Sequence, residues 1–531
     1  MNPSAVTPKK KHASIGSVAF LLVCTALVGQ VLGFLRTKLV NANFPPIGPH
    51  STDAYFAAFN IPDFFFFTLS AGALGVALMP VLSDRLHKGD RRAVWELATS
   101  LLNFLAIIMS GVALIILIFA RPLITYVVAP HMPPEQIDIA VNIMRLLAFN
   151  PLLFTISGII TSVQQTMGRF FVYAIAPLVY NLSIIISIFV FKHNIGLVGL
   201  GIGALIGAIL QLLVVMLGVS KLNFHWHPHI MWRSSDFRTV LRNLPPRSLD
   251  QGVDQIGDIV DTHIASGLGA GSITYYNNAY ILSTAPILLI GTAISTAAFP
   301  RLNARLSQGR PDLFRRDFLK ILRVLIWLSM PVVVICFFTR GYLSRLIYTS
   351  GNEQIAIIFG FMTLAIFARI IYTLLSRWFY SQKDTRTPLV ISLFTIAFNV
   401  MLSVALTRPG GYGVAGLALA QSIVASAEVI ALFTIMLIRD PKLFDRDFLS
   451  GLWRIISVTG FSILAAFIMV SFYPLGASDR GIFTLGSKLS LISLVVFGVH
   501  IAVSALFSLE EVNPIFARAK KLFYKPFDVE V

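Results

Sequence analysis

Residues 52–86 read TDAYFAAFNIPDFFFFTLSAGALGVALMPVLSDRL, and the reading of this stretch decides the fold. A bilayer span asks only for about 20 mainly apolar residues, and this one carries more. Asp53 opens it, Pro62 and Asp63 interrupt it, the small residues Ser70, Ala71, Gly72 and Ala73 follow, and Pro80 precedes a basic exit at Arg85. A comparable segment returns at 274–306. Ala54 onward (AYFAAFNI) lies over Thr274 onward (TYYNNAYI), Pro80 over Pro300, Arg85 over Arg305 and Gly89 over Gly309. Further on, Tyr180-Asn181 lies over Phe398-Asn399 and Gly199-Leu200 over Gly416-Leu417. The offset stays between about 217 and 220 residues, steadier than chance matching of apolar residues would hold.

Working outward, 56% of the 531 residues are hydrophobic and 13% charged, with a mean hydropathy of +0.78. A single soluble core stops growing well below this size, so the chain is read as an integral membrane protein. The net charge of +17 does not point to nucleic acid, because the Lys and Arg residues fall in short segments between apolar runs. Cys24 and Cys336 lie inside apolar runs without pairing or metal-ligand spacing.

Length and hydropathy give about fourteen candidate spans, all helical, since runs of this length are foreign to barrels. Six precede a polar, basic segment at 221–248, and eight follow it. The run at 15–35 after Lys9, Lys10 and Lys11 is too long for a signal peptide core and is read as a retained first span. Basic clusters at 85–92, 221–247, 301–316, 383–386, 439–446 and 518–525 all fall on one side for this count. The positive-inside rule makes that side cytoplasmic, with both termini. The repeat then divides the chain into a six-helix lobe (1–220), a cytoplasmic linker (221–248), a second six-helix lobe (249–440) and two additional helices with a basic tail (441–531). The lobes are parallel repeats, an architecture that puts a substrate path between them.

Charge at membrane depth costs roughly 2.5–3.5 kcal/mol per residue and needs a reason. Arg36, with Gln30 in GQVLGFLRTKLV, lies toward the outer end of the first span. It is either an arginine whose planar fork grips the phosphate of an anionic headgroup or one snorkelling to the interface. In the seventh span Asp250, Asp254, Asp258 and Asp261 recur at helical spacing near His263, a face that cannot meet lipid and so lines water or holds a cation. Arg145, Arg369, Glu428, Asn181 and Asn399 are read first as interhelical pairs. The His225-Trp226-His227-Pro228-His229 run lacks a further fixed metal ligand. No Walker loop, nucleophile elbow or zincin motif occurs, so neither an ATPase nor a hydrolase is indicated and no cofactor is expected.

The VLGFLR run at 31–36, TDAYFAAFNIP at 52–62, the small patch followed by MPVLS, GRFFVYAIAP at 168–177 and FYSQKDTRTP at 379–388 together resemble the MurJ/MviN family. These are lipid II flippases of the MOP exporter superfamily. The resemblance implies a non-enzymatic protein of the bacterial cytoplasmic membrane that moves a diphosphate-linked peptidoglycan precursor between leaflets by alternating access. It also implies membrane lipids and a coupling cation as partners. Arg36, Asp53 and Ser272 match family positions. Gln30 stands where the family has an arginine, Phe66 and Phe67 replace a basic pair, Ala71 replaces a glutamate and Ala279 an arginine. The expected substrate-binding set is therefore Arg36, Asp53, Gln30 and Ser272, and the expected ion-binding or cavity-lining set is Asp254, Asp258, Asp261 and Asn399. Two other classes stay open: a MATE-like cation or drug antiporter, favoured by the acidic seventh span, and a transport-inactive scaffold descended from a flippase.

Overall fold

The computed structural model describes residues 15–68, 72–88, 90–220, 222, 224–348 and 352–513. The basic cluster at 9–11, Ser70 and Ala71, Gly89, Lys221 and the basic tail lie outside the described residues, as do the side chains of Asp250 and Asp254. The described residues are helical throughout, with no strand among them. Eleven helical segments among them are long and apolar enough to cross a membrane. The other expected spans fall on α1 (Ile15–Asn43), on α2 (Thr52–Phe66) with α3 (Gly72–His87), and on α9 (Ser235–Ser266), each of which contains or adjoins residues outside the described set.

The chain forms two compact units. The first comprises Met1–Asn43, Ala57–Val127 and Pro133–Gln255. It contains α4 (Arg91–Pro122), α5 (Pro134–Leu147), α6 (Asn150–Thr166), α7 (Phe171–Phe191) and α8 (Val198–Leu217). Asp90 starts α4 by accepting a hydrogen bond from Ala93 N at 2.9 Å, and Pro134 starts α5 where a missing N–H costs nothing. Helix α7 packs against α1 and α8, while α8 also meets α5 and α6. A core of Leu82, Trp95, Leu101, Ile160, Val163 and Phe237 closes one end of the unit. The polar segment after residue 221 is built into that end: Trp95 Nε1 donates to the Leu222 carbonyl at 3.0 Å, Asn103 Nδ2 donates to that of His227 at 2.6 Å, and Arg85 pairs with Asp236.

The second unit comprises Phe44–Phe56, Val128–Met132 and Ile256–Val531. Its helices are α10 (Ser272–Pro286), α11 (Ala293–Ser307), α12 (Pro311–Phe338), α13 (Arg340–Ile347), α14 (Asn352–Ser381), α15 (Arg386–Leu406), α16 (Val414–Arg439), α17 (Arg446–Phe472) and α18 (Gly481–Leu506). Helix α14 is the hub and touches α10, α11, α12, α13 and α16. Its apolar window is 61% buried, against 6% for α15, so α14 is wrapped by protein while α15 presents its apolar side outward. Helices α17 and α18 pack on each other and join the bundle through α12 and α13. There His500, fully buried, bridges Ser462 and the Trp327 carbonyl.

The internal repeat is written into the helix ends. Helix α2 runs from Thr52 to Phe66 and α10 from Ser272 to Pro286, both ends 220 residues apart, and α4 and α12 begin at Arg91 and Pro311, again 220 apart. Past α10 the chain widens into a π-helical segment, Ile287–Thr292, before α11 resumes. Phe67 and Thr68, just past α2, have the same π conformation at the same repeat position. Such widened turns carry one extra residue and recur at functional sites.

Helices α7 and α8 approach closely because α8 offers small residues. A Cβ on Gly203 would stand 2.3 Å from Ser187 Cβ, and Ser183 Oγ donates to the Gly203 carbonyl at 2.8 Å. Gly203→Ala must therefore push the helices apart, and we expect it to lower stability by about 1–3 kcal/mol. Gly111→Ala on α4, with open space around it, should cost nothing. Unfolding midpoints of the two purified variants in detergent check the contrast.

Candidate functional site

Three buried polar groups of the second unit hold residues singled out by the sequence. The first is Asp53. Ser51 Oγ accepts from Asp53 N at 3.1 Å and so starts α2, placing the Asp53 carboxylate in its first turn. That carboxylate accepts from Gly271 N at 2.8 Å, Thr274 N at 2.8 Å and Thr274 Oγ1 at 2.6 Å. It thus caps α10 as well, where the orphan N–H groups of a helix start favour a negative charge. The Thr274 hydroxyl proton is committed to Asp53, so the 2.9 Å contact between Thr52 Oγ1 and Thr274 Oγ1 is donated by Thr52. Gly271 permits the arrangement: its φ is +84°, and a Cβ would stand 3.0 Å from the Tyr275 ring and 3.1 Å from the Pro46 carbonyl. Ser272, expected in a substrate-binding set, is buried as the first residue of α10.

The second group joins α9, α10 and α15. Tyr276 Oη donates to Asp261 Oδ2 at 2.6 Å, and Asn399 Nδ2 donates to Oδ1 at 3.4 Å. Asn399 Oδ1 is buried with no hydrogen-bond partner. Asp261 and Asn399, both expected to line a cavity, are brought together, while Asp258 lies half-buried one turn earlier on α9. No cluster of three or more His, Cys, Asp or Glu able to hold a metal occurs among the described residues.

In the third group Arg369 Nη1 donates to Glu428 Oε2 at 3.3 Å, and Ser392 Oγ donates to Oε1 at 2.9 Å. Glu428 is 2% exposed, so both carboxylate oxygens are satisfied where an unmet charge would be most costly. This is the interhelical pairing expected for these residues. The sequence did not show that Ser392 completes it, nor that Tyr276 and Thr274 are the donors for Asp261 and Asp53. The paired tyrosines at 275–276 and the Gly-x-Gly at 269–271 were the available signals.

In the first unit Arg36 and Gln30 are half-buried on α1, and Arg36 lies within electrostatic reach of Asp63. The arrangement puts charge-bearing and hydrogen-bonding groups inside a helical bundle, the equipment of a polytopic transporter.

Solved structures of transporters share this fold. One is a lipid II flippase MurJ in an inward closed conformation, with a TM-score of 0.75 and 22% identity over 92% of this chain and 98% of that one. Another is an inward-facing MATE multidrug transporter of the MOP superfamily, with a TM-score of 0.68 and 16% identity over 80% and 98%. The model of the family described as lipid II flippase MurJ matches residues 49–497, and the chain belongs to that family. Its relatives include probable lipid II flippases MurJ of Borreliella burgdorferi, 24% identical over 80% of this chain and 83% of the relative, and of Buchnera aphidicola, 24% identical over 94% and 97%. The lipid II flippase MurJ of Burkholderia cenocepacia is 24% identical over 77% and 81%.

The segment FYSQKDTRTP at 379–388 acquires a structural account. Lys383 takes a left-handed backbone (φ 62°), which turns Asp384 onto the start of α15. There it accepts from Arg386 N at 3.0 Å, Thr387 N at 3.0 Å and Thr387 Oγ1 at 2.6 Å, and Arg439 Nη1 donates to it at 2.7 Å. Partial burial opposes ionisation, but the Thr387 and Arg439 hydrogen bonds outweigh it and hold the carboxyl at about 2.

Asp53→Ala leaves buried donors at the start of α10 unmet and is expected to cost about 1–3 kcal/mol, read as a lower unfolding midpoint, with Asp53→Asn losing less. Asp384 stabilises the fold fully above its unfolded pKa of about 3.9, and the contribution is lost as pH falls toward about 2. Unfolding midpoints measured from pH 5 to 2 should therefore converge for wild type and Asp384→Asn at the acid end and diverge at the other.

Proposed function

We propose that this protein moves lipid II, a lipid-linked peptidoglycan precursor, from the cytoplasmic to the outer leaflet of the bacterial cytoplasmic membrane. Family membership across residues 49–497 carries the reading, and the fold common to this chain and an inward closed MurJ supports it. The protein acts as a transporter rather than an enzyme, with both termini cytoplasmic in keeping with its loop charges.

Arg36 contributes the phosphate contact in this reading. A guanidinium presents parallel donors that fit a diphosphate, and Asp63, within electrostatic reach, orients it until the substrate arrives. Gln30, Asp53 and Ser272 complete the expected substrate-binding set, with Asp53 acting chiefly by fixing α10. A coupling cation drives the cycle, taken up by oxygens of Asp258, Asp261 and Asn399 with Asp254 on the same helix. The unpartnered Asn399 Oδ1 beside Asp261 favours such a ligand. A cation-coupled antiporter is the second reading, favoured by the likeness of the fold to a MATE transporter.

Complementation of a flippase-depleted bacterium tests the first reading. Wild type should restore growth, Arg36→Ala should abolish rescue, and Asp258→Asn should weaken it, all at equal membrane abundance. Failure of inserted wild type, with cation-dependent drug export in its place, would move the assignment to the second reading.

A further inference from the structure

At one end of the second unit a cavity of about 620 Å³ opens between α12, α17 and the residues that follow α18, within the size range of small-molecule sites. Four cations, Arg316, Lys320, Arg323 and Arg454, and four acids, Asp445, Asp447, Glu510 and Glu511, line it. Two of the acids and one cation are spent on the fold. Asp445 caps α17 at Phe448 N, 2.7 Å away. Arg323 crosses from α12 to pair with Glu511 beneath the cavity, lying so close on Gly451 that a Cβ there would stand 2.8 Å from its Cζ. The second carboxylate oxygen of Glu511, whose side chain is 4% exposed, has no hydrogen-bond partner. The wall therefore keeps an unmet acceptor.

What remains is a divided field. Arg316, Lys320 and Arg454 are exposed and line the same cavity, the first two one helical turn apart on α12. Asp447 and Glu510 are exposed on the other elements of the rim. A ligand that is only anionic would leave these acids facing it, and one that is only cationic would meet the three basic side chains. A group bearing phosphate and ammonium together satisfies both. The level in the membrane fits as well: Trp453, next to Arg454, is 70% exposed and Leu506, at the end of α18, is 82% exposed. Tryptophan at the edge of an apolar lipid-facing surface marks the headgroup layer. We propose that this cavity binds the headgroup of an aminophospholipid, its phosphate on Arg316, Lys320 and Arg454 and its ammonium on Asp447 and Glu510, with the acyl chains along the outer faces of α17 and α18.

The test uses the full chain, purified in detergent and offered palmitoyl-oleoyl phosphatidylethanolamine, phosphatidylcholine or phosphatidylglycerol, with retained lipid measured by mass spectrometry. A choline headgroup has no N–H to give the acids, and a glycerol headgroup has no positive charge. Wild type is expected to retain phosphatidylethanolamine about tenfold over either, the ratio that one lost charge-assisted hydrogen bond produces. Lys320→Ala/Arg454→Ala should reduce retention of all phospholipids, whereas Asp447→Asn/Glu510→Gln should remove the preference over phosphatidylglycerol alone. All four positions are exposed, and size-exclusion profiles matching wild type establish that the variants fold. Equal retention of the three lipids by wild type, or a preference unchanged in both variants, overturns the proposal. Glycerophosphoethanolamine carries the headgroup without acyl chains, and competition by it as strong as by the lipid would reassign the cavity to a soluble ligand.

Discussion

The carboxylate of Asp53 is shared between two helix starts. It sits in the first turn of α2, where the helix dipole favours it, and it takes up three donors at the start of α10. In water each of those groups would be satisfied by solvent, so the net gain would be small. Inside the bundle nothing else is at hand, and the cost of leaving them unmet fixes the geometry. Because α10 carries Tyr276 four residues after its first residue, fixing its start also fixes where the Tyr276 hydroxyl meets Asp261. The second polar group depends in this way on the first. Gly271 is the permissive element of the chain of contacts, since any side chain there would meet the Tyr275 ring and the Pro46 carbonyl.

Much of this was legible in the sequence, for a stated reason. Span length, hydropathy and loop charge are local properties, and a bilayer makes them decisive because backbone groups at membrane depth must be satisfied within a helix. The repeat was readable from Pro80 over Pro300 and Arg85 over Arg305, and the bounds of α2 and α10 carry the same offset. Asp261 was singled out because charge in an apolar run is costly, and Asp53 as the acid that opens the 52–86 stretch. Their donors were signalled only by the paired tyrosines at 275–276 and the Gly-x-Gly at 269–271, because Thr274, Gly271 and Tyr276 take these roles only once α10 meets α2 and α9. The polar segment after residue 221 was read as a linker by its composition. Its backbone carbonyls at Leu222 and His227 are bound by Trp95 and Asn103, a pairing that no local pattern announces.

At and just past the end of α2 the chain carries Phe64 to Phe67, whose rings pack edge to face or tilted, Phe64 on Phe65 and Phe66 on Phe67 and Phe154. Aromatic packing of this kind stabilises by area and by ring geometry and asks for no charged partner. In the second unit the buried charge of Glu428 is met on both oxygens, by Arg369 and Ser392.

The π-helical turns past α2 and α10 have a consequence for how the two copies can change over time. An extra residue in a helix rotates everything after it by about 100° relative to everything before. The π-helical residues begin at the same repeat position in both copies, at Phe67 and Ile287, and Pro80 and Pro300 keep the same offset beyond them. Removing the extra residue from one copy would turn Arg85 or Arg305 to a new face while leaving its counterpart where it was. A single-residue insertion or deletion in either segment thus re-aims the remainder of that helix, in a way that substitutions at the same positions do not.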